Sequence, residues 1–203
     1  MAFTQYPLPI NPSKIAVTVM ALRHLWIRRD PDHPFYTLGR CAYLDGKTPA
    51  YAAEIAQTNP ILYENFADLY KVLQNYFESY LGEKVYLSTK LAYPSFHIAA
   101  ADPFFLNHGG VWHEDYPHET LGLGNEDPLT FTLAIEMPTG GGGLDYIEDG
   151  QQNHIEYVEG SIVVHDGAIT HRISNFKECH MGDFRITLQG HLVRIDGQLV
   201  MFW

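Results

Sequence analysis

After Gly82 the sequence breaks into short β-branched, aromatic or alternating segments, each ended by Gly, Pro, Asn or Asp, with no helical pattern between them. These predict strands near 85 to 91, 95 to 100, 111 to 116, 129 to 136, 144 to 148, 154 to 158, 161 to 165, 184 to 194 and 198 to 203. The last two flank Ile195, Asp196, Gly197 and Gln198, where Asp-Gly suits the positive backbone angles of a type I′ hairpin turn. Eight or nine such strands in a row argue for an antiparallel double sheet, a jelly roll.

The part of the chain before Gly82 reads differently. IAVTVMAL and FYTLGRCAYL suggest extended segments, interrupted at Pro31 and Pro34. Thr48 with Pro49 marks the start of a short helix through Ala56, and Asn59 with Pro60 the start of a longer one closed by Gly82. In the longer helix Leu62, Phe66, Leu69, Leu73, Tyr76 and Tyr80 recur at steps of four and three, a stripe that packs on something flat. The expectation is one domain over residues 1–203, with N-terminal strands and bracing helices over 1–82 and a jelly-roll core over 85–203.

Composition narrows the function. A formal net charge of −11 disfavours nucleic acid, whose affinity for proteins comes mostly from Lys and Arg neutralising phosphates. No apolar stretch is long enough to cross a bilayer, and the first residues lack a basic segment followed by an apolar one, so neither a membrane nor a secretory signal is expected. Two cysteines, Cys41 and Cys179, are too few for a disulfide framework and point to a reducing, cytoplasmic setting.

The chemistry is carried by WHEDYP, Trp112 to Pro117. On a strand, residues two apart face the same way, so His113 and Asp115 would both point inward and Glu114 outward. One imidazole and one carboxylate make two corners of a metal site, and a further histidine would complete a three-ligand face with open positions. GSIVVHDGAITHRISN supplies a candidate in His171, 58 residues on, the difference 171 − 113. In DFRITLQGHLVR, Arg185 and Thr187 share a strand face, where a guanidinium and a hydroxyl together suit a carboxylate ligand.

Taken together these residues resemble the iron(II)- and 2-oxoglutarate-dependent oxygenases, whose pattern is His, any residue, Asp, a distant His, then Arg, any residue, Ser or Thr. The resemblance covers roughly Ser95 to Arg194. It implies a double-stranded β-helix core, a metal triad of His113, Asp115 and His171, 2-oxoglutarate held by Arg185 and Thr187, and dioxygen as the oxidant. It also implies hydroxylation of a small-molecule substrate, since relatives that halogenate have a small residue at the position of Asp115. His97, on the preceding strand, would line the cosubstrate pocket or orient a ligand.

Arg185 follows His171 by 14 residues, 185 − 171, a longer gap than the family pattern leads one to expect, which leaves Arg172, Lys177 and Arg194 as weaker candidates for the carboxylate contact. His108 and His118 flank the motif, Trp112 reads as packing, and Gly140 to Gly143 reads as a turn or bulge before it reads as a hinge. Tyr146 and Phe131 suit a pocket wall or core, and Glu119 and Glu136 are candidate substrate contacts. The alternative is a cupin, a jelly roll that binds metal without a keto acid. GSIVVHDGAITHRISN fits much of the second cupin motif in spacing, but a cupin leaves Arg185 and Thr187 without a role.

Overall fold

A computed structural model describes residues 3–123, 128–178 and 180–203, the side chains of His118 and Thr120 excepted. Cys179 and the neighbourhood of the His118 side chain therefore lie outside the described residues. The strands are β1 (Thr4–Pro7), β2 (Ile27–Arg28), β3 (Phe35–Leu38), β4 (Val85–Leu87), β5 (Ser95–Ala100) and β6 (Leu129–Glu136), followed by β7 (Leu144–Glu148), β8 (Gln151–Ile155), β9 (Ser161–Asp166), β10 (His171–Ile173), β11 (Phe184–Ile195) and β12 (Gln198–Phe202). The helices are α1 (Pro12–Ala21), α2 (Ala42–Asp45), α3 (Tyr51–Leu81), α4 (Pro103–Asn107) and α5 (Pro117–Leu121).

Two sheets form. The larger runs β1-β9-β6-β11-β5-β3-β2, with β12 continuing beside the far half of β11 and β4 beside β12; the smaller is β10-β7-β8. Every pairing is antiparallel except β12 with β4. Ile195 pairs with Gln198 across Asp196 (φ 49°) and Gly197 (φ 79°), the tight hairpin that Asp-Gly predicts.

Strand alternation splits the large sheet into two unlike faces, both buried. Phe96 and Ile98 of β5, Phe131 and Leu133 of β6, Ile162 and Val164 of β9, and Ile186 and Leu188 of β11 turn to one side and join the core under the helices. The stripe on α3 supplies the cover: Leu62, Phe66, Leu69, Leu73 and Phe77 are buried, with Tyr76 and Tyr80 at the margin. Residues of the opposite parity are polar or small and buried nonetheless: Ser95, His97 and Ala99 on β5, Thr130, Thr132 and Ala134 on β6, His165 on β9, and Arg185, Thr187 and His191 on β11. A buried face rich in hydrogen-bonding groups has to find partners or a ligand, and this face looks toward the small sheet.

The N-terminal expectations need correction. IAVTVMAL is helical, within α1: Asn11 caps it by accepting from the backbone N–H of Lys14, Pro12 stands in its first turn, and Ala16 and Val19, three apart, are its buried face. β-Branched residues argue for a strand only where no cap says otherwise, and here Asn11 with Pro12 supplies one. FYTLGRCAYL is extended only as β3 and then turns into α2.

The two helices expected around residue 59 are one, α3, with Pro60 inside it and the irregular backbone displaced to Phe66 (φ −131°, ψ 20°). Asn59 is not a cap. Its amide donates to the carbonyl of Leu91 and accepts from the N–H of Tyr93, tying the helix to the loop after β4. Further on, the short helices α4 and α5 form between strands, where no helical pattern was expected after Gly82, β4 stops at Leu87, and β8 begins three residues before the expected 154. The largest departure is at 111 to 116, where no strand forms and only His113 makes a bridge, to His171.

Candidate metal centre and anion pocket

Residues 110–115 lie along β10 and the turn before it, held by four backbone hydrogen bonds. The N–H of Gly110 donates to Ile173 O (2.8 Å), those of His113 and His171 donate to each other's carbonyls (3.0 and 2.9 Å), and that of Asp115 donates to Gly167 O (2.8 Å). The partner is too short to support a ladder, because β10 has three residues and a turn precedes it. Glu114, between the two ligands, is tied outside by Thr170 (2.8 Å) and Tyr116 (2.7 Å), both donating to its carboxylate. The inward pairing of His113 and Asp115 is thus achieved without the strand that was to produce it.

The three side chains meet. His113 Nε2 lies 3.9 Å from Asp115 Oδ1, His171 Nε2 lies 3.5 Å from Asp115 Oδ2, and one ligand atom from each residue lies within 4.8 Å of the others. Two metal–ligand bonds of about 2.1 Å span at most ~4.2 Å, so both carboxylate pairs fall within reach of one ion. His113 Nδ1 is 2.7 Å from Val111 O and His171 Nδ1 is 2.7 Å from Ile169 O. A carbonyl only accepts, so each Nδ1 carries the proton and each Nε2 keeps its lone pair for a metal.

Burial by itself would raise the Asp115 carboxyl, but His191, His171, His113 and His165 around it outweigh that and hold it below the ordinary carboxylate value. His171 is pushed down by burial, against the pull of Asp115. An ionised carboxylate and neutral imidazoles are the protonation states a divalent cation requires.

Arg185 is fully enclosed on the inner face of β11. Its Nε donates to Gly142 O (2.6 Å), Nη1 donates to Thr187 Oγ1 (3.2 Å), and its guanidinium carbon stands 5.6 Å from the centre of the Tyr157 ring. The other terminal nitrogen is buried with no partner, and no carboxylate among the described residues pairs with this cation. Burial pulls its pKa down to about 10, the mark of a charge held where water cannot help it. An anion with a planar pair of acceptors would satisfy both deficits.

The rival cations are occupied elsewhere. Arg172 pairs with Asp145 and lies over Trp112, Lys177 pairs with Glu156, and Arg194 pairs with Glu83. The 14-residue gap is taken up by the segment after β10, where Phe176 packs against Phe105 and bridges to Gly141. Gly140 to Gly143 is pinned: Gly142 N–H donates to Asn175 O, Gly143 O accepts from Ser174 N–H, and Gly142 O holds Arg185. That is the turn the sequence suggested.

His97 sits opposite Thr187 on β5, facing the same side as Arg185, with Nε2 2.9 Å from the hydroxyl of Tyr43. Burial above all, and then Arg185, lowers its pKa to about 3, with Arg29 and His113 acting the same way and Asp115 against them. Phe131 belongs to the helix-side core against Phe77, Glu136 faces α1 across a groove, and Glu119 is exposed on α5. Tyr146 pairs with His171 in the small sheet and its ring lies 3.9 Å from that of Phe3; His108 is exposed and stacks on Phe104.

Sequence reading missed Tyr43, Tyr157, His165 and His191. For the two histidines a signal existed: His191 shares the parity of Arg185 and Thr187, and His165 falls out of step with the apolar Ile162 and Val164 of its strand. Across β9, β6 and β11, His165, Thr130 and His191 form one row, with Thr130 Oγ1 3.0 Å from His191 Nδ1 and the His165 ring 4.6 Å from that of His171. Tyr43 and Tyr157 reach the site from a loop helix and from the segment after β8, and no periodicity marks them.

Compared by sequence, the chain matches no family model and no curated protein. Compared by structure, it is similar to solved proteins of low identity. One is an oxidoreductase of the 2OG-Fe(II) oxygenase family from Burkholderia pseudomallei, at TM-score 0.58 and 12% identity over 92% of this chain and 82% of that one. Another is an N-substituted L-amino acid dioxygenase from Burkholderia ambifaria AMMD in complex with alpha-KG, at TM-score 0.53 and 13% identity over 79% and 72%. A third is a prolyl hydroxylase from Trichoplax adhaerens in complex with a hypoxia inducible factor peptide fragment, at TM-score 0.51 and 9% identity over 92% and 81%. The fold is the jelly roll that these proteins share.

Proposed function

We propose that the protein is an iron(II)- and 2-oxoglutarate-dependent dioxygenase that hydroxylates an unactivated C–H bond of a small molecule, such as an amino acid or natural product. The observation that carries this reading is the buried, carboxylate-free guanidinium of Arg185 on the same inner face as a His-Asp-His cluster. A cluster alone would suit a cupin, which has no use for a cation held in waiting. The shared fold supports the oxygenase reading, and the amino acid dioxygenase among the similar structures favours a small substrate.

The residues present fit the implied groups. Iron(II) would be held by His113 Nε2, His171 Nε2 and one oxygen of Asp115, a set that leaves half of an octahedron open. The remote carboxylate of 2-oxoglutarate would lie against Arg185, with the Thr187 hydroxyl beside it and His97 lining the path to the metal. When bound, iron(II) supplies the activation of dioxygen, coupled to decarboxylation of 2-oxoglutarate to succinate and carbon dioxide.

The chain itself holds the geometry. Val111 O and Ile169 O keep both imidazoles turned with Nε2 inward, and the four-bond zipper along β10 sets the spacing of ligands from two distant segments. Gly142 O and the Tyr157 ring hold the guanidinium in place.

The domain, partners and setting follow as parts of the same proposal. Residues 1–203 form one domain, supported by the largest apolar cluster, which α1 and α3 share with the large sheet. No nucleic acid or membrane partner is expected, in keeping with the charge of −11 and with no helix among the described residues being long and apolar enough to cross a membrane. The buried free thiol of Cys41 agrees with a cytoplasmic setting.

The test is succinate release from 2-oxoglutarate. It should require iron(II) and fall to background in His113→Ala, Asp115→Ala and His171→Ala, while Arg185→Ala should mainly raise the 2-oxoglutarate concentration needed. Ordinary turnover in any of the three ligand variants would refute the assignment. The same readout across a panel of amino acids and natural products would name the substrate.

A further inference from the structure

His97 is more constrained than a pocket-lining residue has to be. Its ring centroid is 5.0 Å from that of Phe35 and 4.9 Å from that of Trp203, so it cannot swing freely, and Nε2 meets the Tyr43 hydroxyl at 2.9 Å. The other nitrogen, Nδ1, is buried and has no hydrogen-bond partner. The enclosure keeps the ring neutral through the physiological range. A neutral imidazole carries one proton, and whatever binds one nitrogen decides whether the other donates or accepts.

Tyr43 is placed to make that decision. Tyr43 is partly exposed, but its hydroxyl is sunk beside His97 and the Cys41 thiol, where burial above all raises its pKa and preserves a phenolic proton that has two acceptors within reach, His97 Nε2 and Cys41 Sγ. If the hydroxyl donates to Nε2, the imidazole proton resides on Nδ1 and the ring offers an N–H to the inner face of the sheet. On that face His97 pairs with Thr187, and the next inward residue, Ala99, pairs with Arg185. Two buried donors without acceptors, His97 Nδ1–H and the free terminal nitrogen of Arg185, then stand on adjacent strands. The opposite tautomer would turn a lone pair toward the place prepared for an anion.

We propose that Tyr43 is a positioning residue: by donating to His97 Nε2 it fixes His97 as an Nδ1–H donor, which hydrogen-bonds an oxygen of 2-oxoglutarate beside Arg185. This rests on the reading of the Arg185 pocket as the cosubstrate site. Neither Tyr43 nor the tautomer follows from the metal triad. The role is one of recognition and predicts an effect on cosubstrate affinity with the metal site left intact.

The experiment uses the iron(II)-loaded protein without oxygen. Affinity for 2-oxoglutarate is read from its visible charge-transfer band, iron affinity is measured separately, and the tautomer of His97 is read by nitrogen-15 NMR, with His97→Asn identifying the signal. The expected spectrum has a protonated Nδ1 and an unprotonated Nε2. Tyr43→Phe should weaken 2-oxoglutarate binding about ten- to a hundredfold, the effect of one hydrogen bond to a charged group, with iron affinity unchanged. His97→Asn places an amide N–H near the position of Nδ1 and should retain most of the affinity, whereas His97→Leu should not. In the His97→Asn background, Tyr43→Phe should have no further effect. A protonated Nε2, or wild-type affinity in Tyr43→Phe, would overturn the proposal alone. A wild-type protein that binds iron(II) but not 2-oxoglutarate would overturn the cosubstrate reading beneath it as well.

Discussion

Arg185 shows what a single residue can be made to hold in reserve. A guanidinium that is enclosed and not fully hydrogen-bonded destabilises the fold, because its lost hydration is only partly replaced by Gly142 O, Thr187 and the Tyr157 ring. Replacing it with an apolar side chain of similar length should relieve that burden. Arg185→Met is therefore expected to raise the melting temperature of the ligand-free protein by about 2–4 °C, corresponding to ~1 kcal/mol in a chain of this size, while raising the 2-oxoglutarate concentration needed for binding. A lower melting temperature with unchanged binding would show that the residue is structural. The residue type and its neighbour two positions on were visible in the sequence, but the unpaired nitrogen was not, because satisfaction depends on which distant groups arrive.

At the scale of elements, the segment from Gly109 to Asp115 is a loop zippered to a short strand, so its position depends on close approach. A Cβ added at Gly109 would fall 2.5 Å from Ile173 O and 2.9 Å from the Asn175 side chain, at the beginning of the zipper. Gly109→Ala should push the segment off β10, move His113 and Asp115 away from His171, and weaken iron(II) binding about tenfold with little loss of stability. Titration of the apoprotein with iron(II) against a thermal melt separates those effects, and unchanged affinity would mean that the ligands are positioned by something other than the zipper. The motif's spacing was legible as two inward residues flanking an outward one. Its conformation was misread because a period of two is consistent with a strand and equally with a loop pinned at alternate residues.

In the whole molecule, two layers of apolar contact on one side of the large sheet free its other side for chemistry. Helices α1 and α3 cover the outer face, so the inner face can be polar without leaving the sheet uncovered. Filling the inner face should stabilise the molecule: iron(II) and 2-oxoglutarate, without oxygen, are expected to add about 2.7 kcal/mol each at a hundredfold excess over their dissociation constants. The melting temperature should rise with both present and much less with 2-oxoglutarate alone. A shift of equal size without metal would separate the anion pocket from the triad and count against their acting as one site.

By itself the sequence determined the strand-rich half, the hairpin at Asp196 and Gly197 and the apolar stripe of α3, and it marked His113, Asp115, His171, Arg185 and Thr187 as candidates, because each is written in local periodicity, turn chemistry, donor type or a family pattern. Only the tertiary structure decided that IAVTVMAL is helical, that Pro60 lies inside one helix, and that residues 111 to 116 are a loop. It alone brought Tyr43 to His97 and left Arg185 without a carboxylate. Those outcomes depend on which surfaces cover one another, and no window of neighbouring residues contains that information.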